Sequence, residues 1–386
     1  MRPYFFCVVI AFYYPLAWLG VLYGEHWALL AFFTVIGSQF ASEIFLKQEL
    51  AEGRRCNPIV GQCLLYLHLP FAFILLLLLL WQAAPGDQFS IGEFWGGQIA
   101  SSHQAISFVE ILECALLTGY LFSLNTIAAH ELVHRKKSSP DYFIGRLLLI
   151  LNSDSQFSTS HIYGHHRVVG TLEDPATARR GESLYRFVVR SALGQYGQAF
   201  LIQRRFLVKK NRSMLSAENE LIWGILFSLC LILAFGVFFS CLSLLAYLVA
   251  AFVAKYLFES MNYIQHYGLI RVPGAPVQPR HSWDSVNPGA TQAYYALTYH
   301  SAHHCNAARP FWELKPGHFE SDNHLKHGFV LAIVLAMIPP LWFRYMEPVL
   351  AKWDETQASS QEAGYINEYY LDGNADAIFA GKETSA

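Results

Sequence analysis

The chain has 386 residues, of which 54% are hydrophobic, 15% aromatic and only 15% charged. A soluble globular chain carries about a quarter charged residues, so the composition excludes an ordinary soluble domain and points to a membrane protein. The net charge of −2, without any basic run, gives no reason to expect nucleic acid. The seven cysteines stand singly, with no CxxC pair, so neither a disulfide framework nor a thiolate metal site is expected.

A membrane span needs about 20 mostly apolar residues. Six stretches meet this, at about 4–23, 27–46, 59–83, 104–128, 219–240 and 242–264. The first lacks a small-residue cleavage signature and reads as a retained helix, not a signal peptide. A seventh apolar run, 328–343, is short and broken by Pro339-Pro340. It is expected to lie on the protein or at the interface. Lys47, Arg54 and Arg55 lie between spans two and three, and basic residues crowd 135–210, whereas 84–103 has no Lys or Arg. The positive-inside rule then puts both termini and both basic loops in the cytoplasm of an inner-membrane, multi-pass protein. The expected fold is all-α: one unit over 1–386, six transmembrane helices, and a cytoplasmic cap formed by 135–218 and 267–386. The polar last thirty or so residues, ending near Gly381-Lys382-Glu383-Thr384, are expected to fray.

Nine of the sixteen histidines fall in four tight groups at the ends of apolar stretches. These are His130 and His134; His161, His165 and His166; His266; and His300, His303 and His304. On an α-helix the i, i+4 spacing sets His130 over His134, and His161 over His165, with His166 offset. His300, His303 and His304 could converge on one point. Imidazole binds metals in its neutral form. Zinc sites use three or four protein ligands, so nine imidazoles suggest two ions sharing one site. Taken alone, each group has an ordinary reading: H-E-x-x-H arises by chance, and a histidine at a span's end is usually interfacial. Four groups at one predicted membrane depth outweigh those readings. His26, His68, His103, His318, His324 and His327 keep the ordinary one. His281 could orient a ligand or lie at the surface.

Neutral ligands offset no metal charge. A carboxylate accepting the far ring N–H would both orient the ligand and compensate. Glu131, Glu173, Asp174, Glu259 and Asp284 lie close enough in sequence. Glu110 and Glu113 fall within the fourth stretch, where acids are costly and usually functional unless they lie near the outer interface. Tyr120, Phe122, Phe252, Tyr256 and Phe258 could line an apolar slot, or simply pack or face lipid.

The segments N-T-I-A-A-H-E-L-V-H-R-K at 125–136, H-x-x-x-H-H at 161–166, L-E-D-P-A-T-A-R-R-G-E-S-L-Y-R-F at 172–187, N-Y-I-Q-H-Y-G-L at 262–269 and H-S-A-H-H at 300–304 resemble the membrane di-iron alkane monooxygenase family. That family sits in the wider fatty-acid-desaturase-like superfamily and includes the xylene monooxygenase hydroxylase type. The resemblance runs from the second span to about Pro340. It implies two iron ions held by all nine histidines, with no catalytic residue beyond that centre. It also implies dioxygen as oxidant, a hydrophobic substrate drawn from the membrane, and electrons from rubredoxin or a ferredoxin with its NAD(P)H-dependent reductase. The implied reaction is hydroxylation of a terminal methyl, foremost that of a medium-chain alkane. An aromatic-methyl hydroxylase and a desaturase or lipid hydroxylase are the alternatives. Ser160, Gln265 and Ala302 stand where the alkane pattern has Glu, Glu and Asp. The Q-H-Y-G segment and Pro-Pro-Leu-Trp-Phe at 339–343 are closer to the xylene type. Two rivals from other classes explain less: a zinc protease built on His130, Glu131 and His134 strands the other histidines, and a metal transporter would place ligands along a path across the bilayer.

Overall fold

A computed structural model describes residues 6–46, 56–96, 99, 103, 105–315 and 323–368. Lys47, Arg54, Arg55, His318 and Gly381 to Thr384, invoked above, lie outside the described residues. Within them the chain is helical, with no strand and a single isolated bridge between Asp284 and His324.

Five helices are long and apolar enough to cross a membrane: α2 (Trp27–Phe45), α3 (Pro58–Gln82), α4 (Phe108–Val133), α8 (Glu220–Phe238) and α9 (Cys241–His266). They match the last five expected spans. The first expected span corresponds to α1 (Val9–Tyr23), an apolar helix shorter than a span that opens with a π turn. Long runs of apolar residues leave no polar stripe, so these helices are held by lipid and by one another. Their ends are set by local chemistry. Asn57 accepts from the Ile59 N–H at 2.9 Å just before Pro58 opens α3. At α4 the Ser107 hydroxyl accepts from the Glu110 N–H (3.3 Å) and the Glu110 carboxylate accepts from the Ser107 N–H (2.7 Å). This reciprocal cap starts the helix four residues later than expected and gives Glu110 a structural role. Glu113 meets the exposed His26 at 2.9 Å. Both acids therefore serve the end of α4 opposite the histidines.

α4 is the central helix: 83% of its most apolar window is buried, against 22–44% for the other four. It crosses α9 closely at Gly119, where a Cβ would lie 2.6 Å from both the Ala250 carbonyl oxygen and Val253 Cβ. Small residues permit such approach where lipid offers no hydrophobic drive for association.

Between the spans, α5 (Pro140–Leu151) leads to three short pieces running end to end, α6: Phe157–Ser160, a π turn His161–His165, and His166–Val168. Helix α7 (Leu184–Lys209) follows. Beyond α9 come α10 (Pro288–Ala293), α11 (His300–Cys305), α12 (Phe329–Ala336), α13 (Pro339–Thr356) and α14 (Ser360–Ile366). As expected, the seventh apolar run lies on the bundle. The Glu43 carboxylate on α2 accepts from the N–H groups of Val330 (2.8 Å) and Leu331 (3.1 Å) at the start of α12. Pro339-Pro340 open α13, the first-turn position where proline is tolerated. The part of the expected tail that is described is ordered: α14 is a capped helix with Glu362 and Ile366 buried.

Candidate metal centre

His130 and His134 close α4, His161, His165 and His166 ride on α6, His266 is the last residue of α9, and His300, His303 and His304 form α11. The structure brings all nine together. They separate into two sets whose ring nitrogens lie within 4.8 Å of one another: His130, His134, His161, His166 and His303, and then His165, His266, His300 and His304. The sets abut, with the His166 and His304 rings 4.5 Å apart.

The division departs from simple α-helical spacing in two places. His161 pairs with His166, not His165, because the π turn hydrogen-bonds i to i+5 and so brings the fifth residue onto the same face. His165 is thereby released to the four-residue set. On α11, His300 and His304 share one set, while His303, on the flank, joins the other.

In the larger set the Nε2 atoms lie 3.1 Å apart for His130–His303, 3.1 Å for His134–His161, 3.0 Å for His161–His166 and 3.1 Å for His166–His303. In the smaller they are 3.2 Å apart for His165–His304, 2.9 Å for His266–His300 and 3.1 Å for His300–His304. Burial, then the neighbouring imidazoles, holds His161, His166, His300, His303 and His304 well below the usual pKa. His134 is pushed down to about 3 by burial and then by the Arg135 cation. These six rings are therefore neutral at pH 7, with lone pairs available.

Two bonds fix which nitrogen is bare. His165 Nδ1 faces the Asp174 carboxylate at 2.8 Å, and His266 Nδ1 faces the His281 carbonyl oxygen at 3.3 Å. Each Nδ1 must carry the proton, so each Nε2 offers a lone pair to the cluster. Lone pairs this close repel unless a cation lies between them, and the donor set fits metal binding.

Of the carboxylates singled out by position, Asp174 reaches a ring. It is buried, held below the usual carboxylate range by His165 and by Thr177 against the opposing effect of burial, and also accepts from Thr177 (2.6 Å). Glu131 accepts from Arg135 (2.6 Å) and the Phe311 N–H (3.1 Å). Glu259 is taken up by Lys255 (2.8 Å), Ser191 and Gln195 (both 2.7 Å). Asp284 accepts from the Ser301 N–H (2.8 Å) and hydroxyl (2.5 Å), anchoring α11. Glu173 is exposed. His281 touches the centre through its carbonyl, and its Nε2 donates to Glu362 at 2.8 Å.

Gln265 is buried, and its amide donates to the Leu297 carbonyl at 3.1 Å. A carboxylate there would face an acceptor. Ser160 is buried with its hydroxyl on the Gln156 carbonyl (3.1 Å), and Ala302 is half-buried. His68 is a satisfied core residue, between the Asn125 amide oxygen (3.0 Å) and the Tyr295 hydroxyl (2.8 Å). Among the aromatic candidates Phe122, Tyr120 and Phe258 are buried, Tyr256 is half-buried, and Phe252 is 65% exposed on the outer face.

Four supports were not singled out by the sequence reading. Phe157 stacks on His161 at 4.5 Å. Arg271 holds the turn after α6, donating to the carbonyls of Val169 (2.6 Å) and Arg167 (2.8 Å). Lys255 bridges Asp154 (2.9 Å) and Glu259; its i, i+4 spacing to Glu259 was a visible signal. Glu362 showed itself only as the last residue of Ser-x-x-Glu at 359–362, a capping-box pattern.

The fatty acid desaturase family matches residues 111–322, a stretch containing all nine histidines. Alkane 1-monooxygenase 1 of Pseudomonas aeruginosa is 34% identical over 260 residues, covering 64% of this chain and 67% of that protein. Alkane 1-monooxygenase of Acinetobacter baylyi is 35% identical over 256 residues, covering 64% of this chain and 61% of that protein. The xylene/toluene monooxygenase hydroxylase component XylM of Pseudomonas putida is 26% identical over 350 residues, covering 89% and 88%. With its multi-pass helices and metal-binding histidine cluster, this chain belongs to the fatty acid desaturase family and, within it, to the oxidoreductases grouped with the alkane 1-monooxygenases.

Proposed function

We propose that the protein is a non-haem di-iron monooxygenase of the inner membrane that hydroxylates the terminal methyl of a medium-chain alkane to the primary alcohol. The observation that carries this reading is the pair of abutting imidazole sets, five and four, each dense enough for one ion. All nine histidines are then ligands. Metal–imidazole bonds of about 2.1 Å place ligand nitrogens about 3.0 Å apart at a right angle and about 3.4 Å apart at a tetrahedral angle. Neighbouring nitrogens here are 2.9–3.2 Å apart, close to these spacings, so each set can surround one ion.

The balanced reaction joins RH, dioxygen, two electrons and two protons to give ROH and water. Bound iron supplies the oxygen activation and one-electron chemistry. The chain's residues do the rest. Asp174 and the His281 carbonyl fix the tautomers of His165 and His266. Seven of the nine rings are buried, which keeps bulk water from most of the cluster. Glu131 is committed to Arg135 and Phe311, so the arrangement gives it no role as a protease base. Electrons arrive at the cytoplasmic face from rubredoxin or a ferredoxin with its NAD(P)H-dependent reductase. Both termini and the centre are cytoplasmic in this reading, and the substrate comes from the membrane.

Hydroxylation of an aromatic methyl is the second reading, supported by the XylM alignment over 89% of the chain. The test is iron analysis of purified protein together with mass spectrometry of products from cells fed octane, xylene and a fatty acid. Two irons per chain and 1-octanol are expected. A single zinc, or no oxygenated product, would overturn the proposal, and methylbenzyl alcohol alone would select the second reading.

A further inference from the structure

The segment 135–218 reads in sequence as part of a water-exposed cap, but α7 carries three faces. At 100° per residue, Leu184, Val188, Ser191, Gln195 and Ala199 form one stripe, and all are buried. Beside it runs a second stripe that is apolar yet exposed: Tyr185 (51%), Val189 (61%), Leu193 (69%), Tyr196 (37%) and Phe200 (46%). The third holds Arg186 and Arg204 but also the apolar Leu201 (48%) and Val208 (63%), with Arg205 further round, all exposed. A helix in water does not keep five large apolar residues in a row on its surface. A buried face and a broad apolar face with arginines at its margin describe a helix lying in a membrane interface.

The depth of α7 supports this. Its Ser191 and Gln195 bond the Glu259 carboxylate, and Gln195 accepts from Lys255 at 3.1 Å. Glu259 and Lys255 lie seven and eleven residues back along α9 from His266. At 1.5 Å per residue that is about 10 and 16 Å along α9, inside its apolar span. The Tyr196 hydroxyl donates to the Ser153 carbonyl (3.2 Å), and Ser153 in turn bonds Tyr247 of α9 (2.7 Å). The middle of α7 is therefore held beside a part of α9 whose own outer residues, Leu245, Leu248 and Phe252, are exposed and apolar. The α7 stripe and the outer face of α9 are thus both exposed and apolar.

We propose that α7 lies in the plane of the membrane, its apolar stripe in the acyl region of the cytoplasmic leaflet and Arg204 and Arg205 on anionic phospholipid headgroups. This rests on the cytoplasmic placement of the metal centre proposed above. Each basic residue near an anionic surface adds attraction, while Lys210 and Arg212 are committed to Glu218. Because α7 also holds Thr159 through Gln203 (3.2 Å), the leaflet would brace the helix that backs His161.

The test uses the full chain in nanodiscs of mixed phosphatidylcholine and phosphatidylglycerol. A benzophenone side chain replaces Leu193 or Phe200, with Leu248 on α9 as the membrane reference. Irradiation and mass spectrometry should give lipid adducts at Leu193 and Phe200 in yields comparable to Leu248. Adducts at Leu248 without any at Leu193 and Phe200 would overturn the proposal and leave the spans intact. Absence at all of them would overturn the spans as well. Arg204→Ala with Arg205→Ala should lower the phosphatidylglycerol retained on purification several-fold, with phosphatidylcholine unchanged. Unchanged phosphatidylglycerol would refute the headgroup contact.

Discussion

Glu362→Ala should loosen the four-histidine set although Glu362 lies in the C-terminal α14. Its carboxylate, 1% exposed, accepts from His281 Nε2 (2.8 Å), from Arg280 (3.2 and 3.3 Å) and from the Ser359 N–H (2.8 Å). His281 is neutral: burial pushes its pKa down to about 4 despite Glu362, and its Nδ1 accepts from the Gln278 N–H (3.0 Å). The ring thus hangs between Gln278 and Glu362, and its carbonyl orients His266. Breaking a fully buried ion pair costs about 3–5 kcal/mol. Arg280 keeps a fifth of its side chain in water, so about 2–3 kcal/mol is the better figure here, with about 1 kcal/mol more for the lost cap. At 1.4 kcal/mol per factor of ten, opening of residues 278–284 should become about two to three orders of magnitude more frequent. Loss of such a ligand-orienting contact lowers metal affinity about 10- to 100-fold. Hydrogen exchange over 278–284 and metal retention against a chelator would read both effects. Glu362→Gln, which keeps an acceptor for His281, should fall between wild type and Ala. If the Ala variant exchanges slowly and holds metal as wild type does, α14 does not support the centre.

Asp174→Asn keeps the shape but removes the charge that holds His165 Nδ1–H, so metal affinity should fall about 10- to 100-fold in chelator competition; unchanged affinity would remove Asp174 from the site. Gly119→Leu forces a side chain into the Ala250 carbonyl and Val253, and should destabilise the α4–α9 contact by about 1–3 kcal/mol or more, read as a lower unfolding temperature in detergent. Gln265→Glu sets a carboxylate against the Leu297 carbonyl and should cost about 1–3 kcal/mol, so an unchanged melting temperature would show that the loop carrying Leu297 yields freely. In chelated protein, His134 (about 3) and His281 (about 4) titrate below the usual 6.5. The unfolded chain then binds more protons between those values, and stability must fall as pH drops below about 6.5 toward 4; a flat profile of melting temperature over that range would contradict the burial of these rings.

The spans were legible because a run of twenty apolar residues has few other fates, and the π turn was not. Helical spacing places His161 with His165, yet the chain winds wide at 161–165 and pairs His161 with His166. No residue in H-I-Y-G-H-H demands that winding. Gly164 lies so close to Gln198 of α7 that a Cβ there would collide with its amide, a contact between segments over thirty residues apart. Glu362 was hidden for a related reason: polar composition suggested a free tail, and only the partners at 280–281 make its burial favourable. Glu110 was misleading in the opposite sense, since an acid within an apolar run looks functional until Ser107 shows where the helix begins.

The charge balance of the centre follows from where the acids went. Glu131, Glu259 and Glu362 each lie beside histidine groups or their supports, and each is paired with Arg135, Lys255 or Arg280. A carboxylate already neutralised by a cation compensates a metal ion poorly. Asp174 differs: among the described residues its hydrogen bonds come from His165, Thr177 and the Ala176 N–H, and the Arg271 cation acts on it through its charge. The compensation it provides acts on the four-histidine set, which also receives the His281 carbonyl at His266. In that set the Nδ1 atoms of His300 and His304 have no partner among the described residues, so orientation rests on the other two rings. The two halves of the centre are therefore chemically unequal, one with five imidazoles, the other with four imidazoles and a hydrogen-bonded carboxylate. Inequivalent sites release metal at different rates, so chelation should proceed in two phases, and Asp174→Asn should accelerate one phase alone. A single phase that responds as a whole would mean that the halves behave as one unit despite their different surroundings.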